Sequence, residues 1–299
     1  MLYISDSTDV DYNLALEETL LASCEGRAGV MLFYRNAPAV VVGAYQNTHQ
    51  ETDAALLERR GIRLARRISG GGAVYHDLGN VCFAFIFPGQ KIERLEIGAH
   101  LKPLVRALKQ LGIPVQISPR NDILLNGFKI SGTASRIHKD RLLLHGTLLY
   151  DADLKGLAGA LGPERWLKHA KGVASVRSSV CNIRPQHDFG DAQAFMRRLI
   201  AALDDKEPAV LPQEIIEKAH ALAQSKYAAW SWKFGRNPRC SIALPVSFPD
   251  GTRDLVWLAL EHETIQSVSA TRLQYLTGEP FKYDMIGSLL HAQGAQVLQ

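Results

Sequence analysis

Seven consecutive residues, Val81 to Phe87 (VCFAFIF), contain no polar side chain. The run is too short to cross a bilayer. Its odd and even positions are equally apolar, so as a strand it has to bury both faces. Cys82 within it reads as inert packing. The strand is entered through Arg66 to Asn80, RRISGGGAVYHDLGN, where three glycines closely follow two arginines. Backbone without Cβ atoms can approach a ligand closely and adopt positive φ. Successive free N–H groups in such a loop form a concavity for anions, and Arg66 and Arg67 offer the charge to pair with a phosphate. The spacing fits neither G-x-x-x-x-G-K-[ST] nor G-x-G-x-x-G. A tight turn whose glycines serve packing is the competing reading.

Elsewhere short strands alternate with helices. Leu2 to Ile4 is a first strand, and Asp11 to Cys24 a helix whose leucines leave Glu17 and Glu18 on the other side. Val30 to Tyr34 and Ala39 to Val42 read as two strands joined by a turn at Asn36-Ala37-Pro38. Thr52 to Arg60 is helical, and Ile62 to Ala65 is a strand leading into the glycine loop. Leu95 to Leu111 reads as a helix closed by Gly112, and Val115 to Ile117 as a short strand.

Asn126-Gly127, between Ile123–Leu125 and Phe128–Ser131, is a strong hairpin signal. Leu142 to Leu149 (LLLHGTLL) supplies a further strand. Lys129 therefore sits in an antiparallel sheet beside the glycine-rich KISGTASR, either on a solvated face or there for its chemistry. A helix over Asp151 to Leu161 and the serine-rich loop KGVASVRSSVCNI (Lys171 to Ile183) follow. Helices over Asp191 to Leu203 and Gln213 to Ala229 then reach a break at KFGRNPR, which sets a domain boundary. Residues 1–235 are expected to form a catalytic domain, and residues 236–299 an accessory domain of three strands and a closing helix.

Composition narrows the function classes. A formal net charge of +4, with 34 basic residues scattered among 30 acidic ones, argues against a nucleic-acid protein. The four cysteines show no C-x-x-C, so neither a zinc knuckle nor a disulfide framework is suggested, and a reducing setting fits. The N-terminus reads as neither a signal nor a transit peptide. The expectation is a cytoplasmic protein without membrane association.

Taken in order, RRISGGGAVYHDLGN, RNDILLNGFKISGTASR, HGTLL and KGVASVRSSVCNI resemble the lipoate-protein ligase family. The resemblance implies an α+β fold of the biotin- and lipoate-protein-ligase type, with a large mixed, mostly antiparallel sheet and a small C-terminal α+β accessory domain. It implies activation of lipoic acid by ATP and Mg²⁺ to lipoyl-adenylate. The lipoyl group would then pass to a lysine of acceptor domains in 2-oxoacid dehydrogenase E2 subunits or the glycine cleavage H protein.

Lys129 falls on the family's essential lysine, an electrostatic clamp bridging the carboxylate and the α-phosphate. Arg67, Gly72, Ala73, Val74 and Tyr75, with Asn121 and Asp122, match ATP- and adenylate-contacting positions, Asp122 being a candidate for Mg²⁺. Ser69, Gly70, Gly71, His76 and His145 match positions around the lipoyl group, although either histidine can equally be a hydrogen-bonded structural one. Arg136 follows the SGTAS turn, where the family also carries arginine. Leu144 stands where a second histidine often precedes His145. The alternative function is a lipoyl or octanoyl transferase that skips the ATP step. Cys181, where ligases commonly have threonine, reads as a neutral replacement, and Ile113 to Arg120 lacks the cysteine that one octanoyltransferase branch uses.

Overall fold

The computed structural model describes residues 1–24, 29–89, 96–176, 178–203 and 207–298; Leu95, the expected helix start, and Arg177 lie outside them. The first half runs β1 (Leu2–Ile4), α1 (Val10–Ser23), β2 (Val30–Tyr34), β3 (Ala39–Val42), α2 (Thr48–Glu51), α3 (Ala54–Arg59), β4 (Arg63–Arg66), β5 (Val74–His76), β6 (Asn80–Phe87), α4 (Ile97–Gln110), β7 (Val115–Ile117), β8 (Ile123–Leu125), β9 (Phe128–Lys129), β10 (Thr133–His138) and β11 (Arg141–Leu149). It continues with α5 (Leu154–Ala160), β12 (Leu167–Ala170), α6 (Ala192–Leu203), α7 (Gln213–Leu222), α8 (Trp230–Lys233), β13 (Cys240–Ser247), β14 (Arg253–Glu261), β15 (Thr264–Val268), α9 (Tyr283–Ala292) and β16 (Gln296–Val297).

β6 is the middle of a five-stranded sheet ordered β1-β2-β6-β11-β10, in which only β1 and β2 run parallel. Its two faces feed two separate cores. Val81, Phe83 and Phe85 pack with α4 and α6, whereas Cys82, Ala84 and Ile86 pack with α1 and Tyr227. That is the double cover its uninterrupted apolar run requires. Two three-stranded sheets, β4-β3-β5 and β7-β8-β9, flank the large one. A C-terminal sheet follows the order β12-β13-β14-β15, with β16 on β13.

Three local expectations are corrected. β2 and β3 are consecutive but enter different sheets, so Asn36-Ala37-Pro38 is a crossover and not a hairpin turn. Lys129 sits in an antiparallel pair as expected, but the hairpin's second arm is shorter than Phe128–Ser131: it ends at Lys129 in the small β7-β8-β9 sheet, and the chain joins the large sheet only at Thr133. Glu17 does not face outward: α1 lies between the sheet and α7, so nearly all of it is buried, and Glu17 is 1% exposed. The strand β12 was not anticipated, and it brings residues 167–170 into the C-terminal sheet. No described helix is long and apolar enough to cross a membrane.

Candidate active site

Two cavities of about 370 and 300 Å³ open against β5, the glycine loop and the serine-rich loop. Of the described residues lining both, Lys129 alone is charged. Its position follows from the hairpin. Asn126 (φ 51°) and Gly127 (φ 83°) form the two-residue turn with both φ positive that matches strand twist. The turn sets Leu125 against Phe128 and Leu124 against Lys129. On its other side, Lys129 N–H donates to Ser179 O at 3.0 Å, and Cys181 N–H donates to Lys129 O at 3.2 Å. The lysine backbone is thus clamped between hairpin and serine-rich loop, while Nζ pairs with Asp122 Oδ1 at 2.7 Å.

The first cavity is walled by β5 and by apolar groups of α5 and its surroundings: Leu149, Leu157, Leu161, Pro163 and Val180. Ala73, Val74 and Tyr75 line it, Val74 and Tyr75 as strand residues paired with Val41 and Val40. The second cavity runs inward to Leu14, Tyr34, Val41 and His76, and Arg120 and Asp122 also line it. Gly71 and Gly72 line it too, and their N–H groups donate to no described residue.

The arginines do something other than pair with an open anion. Arg66 is fully buried and donates to Gly43 O, Gln46 O, Lys233 O and Asn237 Oδ1, away from the glycine loop. Arg67 donates through Nη2 to Gly70 O (2.6 Å) and Gly72 O (2.7 Å), through Nη1 to Val41 O and through Nε to Ser69 Oγ. It therefore lines the second cavity as the fastener of the loop carbonyls, leaving the glycine N–H groups turned elsewhere. Burial pulls its pKa down to about 10, which leaves it cationic near neutral pH.

Beneath the loop, Ser69 Oγ and His145 Nε2 are 2.6 Å apart, His145 Nδ1 meets Glu17 Oε2 at 2.5 Å, and Tyr34 O–H donates to Glu17 Oε1 at 2.7 Å. Burial and the Glu17 carboxylate hold the Tyr34 phenol well above its ordinary pKa, so it stays a donor. His76 is a different case. Asn36 Oδ1 accepts from Asn13, so the Asn36 amide N–H₂ faces His76 Nδ1 at 2.8 Å. The ring then carries its proton on Nε2. Burial, with the nearby Arg67 and His145, pulls its pKa down to about 3 and keeps it neutral.

A family model, the lipoyl protein ligase A/B catalytic domain, matches residues 9–204. The chain belongs to that family. Lipoate-protein ligase LplJ of Bacillus subtilis is 34% identical over 264 residues, 85% of this chain and 80% of that protein. Lipoate–protein ligase 1 of Staphylococcus aureus is 35% identical, covering 84% and 78%. Among solved structures, lipoate-protein ligase A bound with ATP aligns at a TM-score of 0.66 with 25% identity, covering 78% of this chain and 97% of that one. Protein Ta0514 of T. acidophilum with bound lipoic acid aligns at 0.65 with 25% identity, covering 78% and 98%.

In this lipoate-protein ligase family member the structure gathers most, though not all, of the expected residues. Asn121 lines neither cavity; its φ of 63° turns the chain, and its carbonyl accepts from Thr133 Oγ1. Ser69 lies below the cavity floor, Gly70 faces Tyr45, and Arg136 opens into a third cavity. Sequence reasoning missed Glu51, whose carboxylate takes both the O–H and the N–H of Ser175, while Ser175 Oγ accepts from Ala73 N–H at 2.8 Å. It also missed Glu17 and Arg120. Gly72 and Gly43 show why glycines are used here: a Cβ on Gly72 would lie 2.9 Å from Ser175 Oγ, and one on Gly43 would lie 2.4 Å from Gly71 O.

No three His, Cys, Asp or Glu side chains cluster as a metal site among the described residues, and Asp122 is the carboxylate beside Lys129. A Mg²⁺ ion that keeps waters and completes its shell with substrate phosphates needs only one or two carboxylates, so the residues fit.

Proposed function

We propose that the protein is an ATP-dependent ligase that converts lipoate to lipoyl-adenylate and passes the lipoyl group to a lysine of an acceptor domain. The observation that carries this reading is the junction of two cavities on one charged side chain, Lys129. The apolar cavity by α5 suits a flat base, and the inward one suits an acyl chain. Where they meet, a carboxylate and an α-phosphate are brought together, and a fixed cation offsets the charge that builds up between them. The free N–H groups of Gly71 and Gly72 stand ready to donate to the acyl oxygen.

In the first step a lipoate carboxylate oxygen bonds to the α-phosphorus, and the bond to pyrophosphate breaks. In the second, the neutral acceptor amine bonds to the acyl carbon and AMP leaves. Asp122 would hold Mg²⁺, which when bound supplies countercharge to the phosphates. No protein nucleophile is needed, since the mixed anhydride is already activated. Burial raises the pKa of all four cysteines, Cys240 to about 12, so none is poised as the thiolate that a thioester-forming transferase needs.

The acceptors are E2 lipoyl domains and the glycine cleavage H protein, in the cytoplasm. A bipartite lipoate protein ligase of Thermoplasma acidophilum, similar in fold, is paired with its E2 lipoyl domain. Residues 236–299, with β12 (Leu167–Ala170) completing their sheet, act as the accessory domain to a catalytic domain formed by the rest of residues 1–235. Mixing the protein with free lipoate, ATP and Mg²⁺ should release pyrophosphate. Transfer from preformed lipoyl-adenylate without any such release would contradict the ligase reading and favour the transferase.

A further inference from the structure

A third cavity of about 240 Å³ lies on the outer side of the glycine loop. Its lining includes Tyr45, Ile68, Arg136, Lys226, Trp232 and Arg236. The one acidic residue among its described lining, Glu18, is already satisfied: its two oxygens accept from Lys226 Nζ at 2.8 and 2.7 Å, and Oε2 also accepts from the Tyr227 O–H. Lys226 is further held over the Trp232 ring at 4.2 Å, and Trp232 Nε1–H donates to Arg66 O. Glu18, Lys226 and Trp232 are therefore held in one connected wall.

Two cations in this cavity are left without a carboxylate among the described residues. Arg236 is exposed and touches only the face of Trp232, at 5.6 Å, while Arg136 reaches no more than the Ile68 carbonyl, at 3.5 Å. The exposed His138 lines the cavity as well. Tyr45, 57% exposed, stands between this cavity and the glycine loop, where its ring would lie 3.5 Å from a Cβ on Gly70. An exposed tyrosine flanked by arginines is the composition of a protein-binding anchor.

The edge strand β10 joins this place to the reaction. Ala134 lines the acyl cavity, Arg136 lines the third cavity, and His138 follows. Alternate residues share one face and are spaced about 7 Å apart. An acceptor domain that delivers its lysine to the acyl carbonyl must rest its neighbouring surface along this track.

We infer that the third cavity is a docking site for an acidic side chain of the acceptor domain, held by Arg136 and Arg236 while the acceptor lysine enters the acyl cavity. The inference rests on the ligase reading. It concerns only the second step, because adenylate formation does not involve the acceptor.

Arg236→Glu and His138→Glu, singly and together, test it, since both side chains are exposed and neither lines the first two cavities. The measurements are steady-state lipoylation of an apo E2 lipoyl domain at low and high salt, and pyrophosphate release without acceptor. We expect KM for the domain to rise roughly tenfold for Arg236→Glu at low salt, with the wild-type advantage shrinking at high salt. KM for lipoate and for ATP, and acceptor-free pyrophosphate release, should stay at wild-type values. An unchanged KM for the domain overturns the inference, as does an equal loss in the acceptor-free step. Failure of the wild type to release pyrophosphate contradicts the ligase reading instead; transfer from preformed lipoyl-adenylate then still reads the docking site.

Discussion

His49 lies between two buried carboxylates, with Nδ1 2.5 Å from Glu164 Oε2 and Nε2 2.9 Å from Glu263 Oε2. Glu263 comes from the two-residue β14–β15 turn, where His262 and Glu263 both take positive φ (50° and 59°) without a glycine. Asn237 extends the cluster, donating to Glu263 Oε1 and accepting from Arg66 Nη2. The C-terminal sheet is thereby fastened to α2, which ends on Glu51. Burial alone would lower the His49 pKa, but the two carboxylates outweigh it and raise the pKa to about 10. His49→Ala removes the shared cation and leaves two buried carboxylates facing each other, a loss of about 3–5 kcal/mol.

The sign of the pH dependence follows from linkage. The folded pKa lies above the unfolded value of about 6.5, so the native state keeps a proton that the unfolded chain releases. The stabilisation is complete below about pH 6.5 and is lost as pH rises towards 10. Urea unfolding of the wild type and of His49→Ala at several pH values across that window checks this. The gap should be widest at the acid end and narrow steadily. A gap under about 1 kcal/mol, or one that does not change with pH, would refute the reasoning.

Further outcomes follow from the same contacts. Gly43→Ala pushes a Cβ into Gly71 O, 2.4 Å away, and should cut pyrophosphate release at least tenfold while substrate-free unfolding shifts far less; equal effects on both would point to misfolding. Glu51→Gln takes the charged acceptor from Ser175 and should raise KM for ATP several-fold through the loosened serine-rich loop, so an unchanged KM counts against that role. His76 is held neutral with a pKa near 3, below its unfolded value, so the unfolded chain takes up the extra proton and stability falls as pH drops below about 6.5. A His76→Gln variant should lack that part of the acid slope in unfolding titrations.

What the sequence disclosed was mostly what is local. The doubly apolar β6, the Asn126-Gly127 hairpin and the boundaries of β2, β3 and β11 are properties of a few adjacent residues, and they reappear nearly unchanged. Lys129, Asp122, His76 and His145 were found through motif resemblance and do line the cavities. Glu17 escaped because periodicity places it on the polar side of α1, and nothing local reveals that this side meets Tyr34 of β2 and His145 of β11. Arg66 and Arg67 look like an anion pair in sequence, but the direction of a guanidinium depends on which carbonyls the tertiary fold brings near it. Glu51 and Ser175, 124 residues apart, meet only once the serine-rich loop folds back over β5.

The central claim is that Lys129, shared by the two cavities, is the electrostatic clamp of acid activation. It is tested most directly by acceptor-free pyrophosphate release from lipoate, ATP and Mg²⁺ by the wild type and by Lys129→Ala. The account predicts steady release by the wild type and a rate at least 10²-fold lower for the variant, the usual cost of removing one preorganised donor to developing charge. Release by Lys129→Ala at the wild-type rate would contradict it.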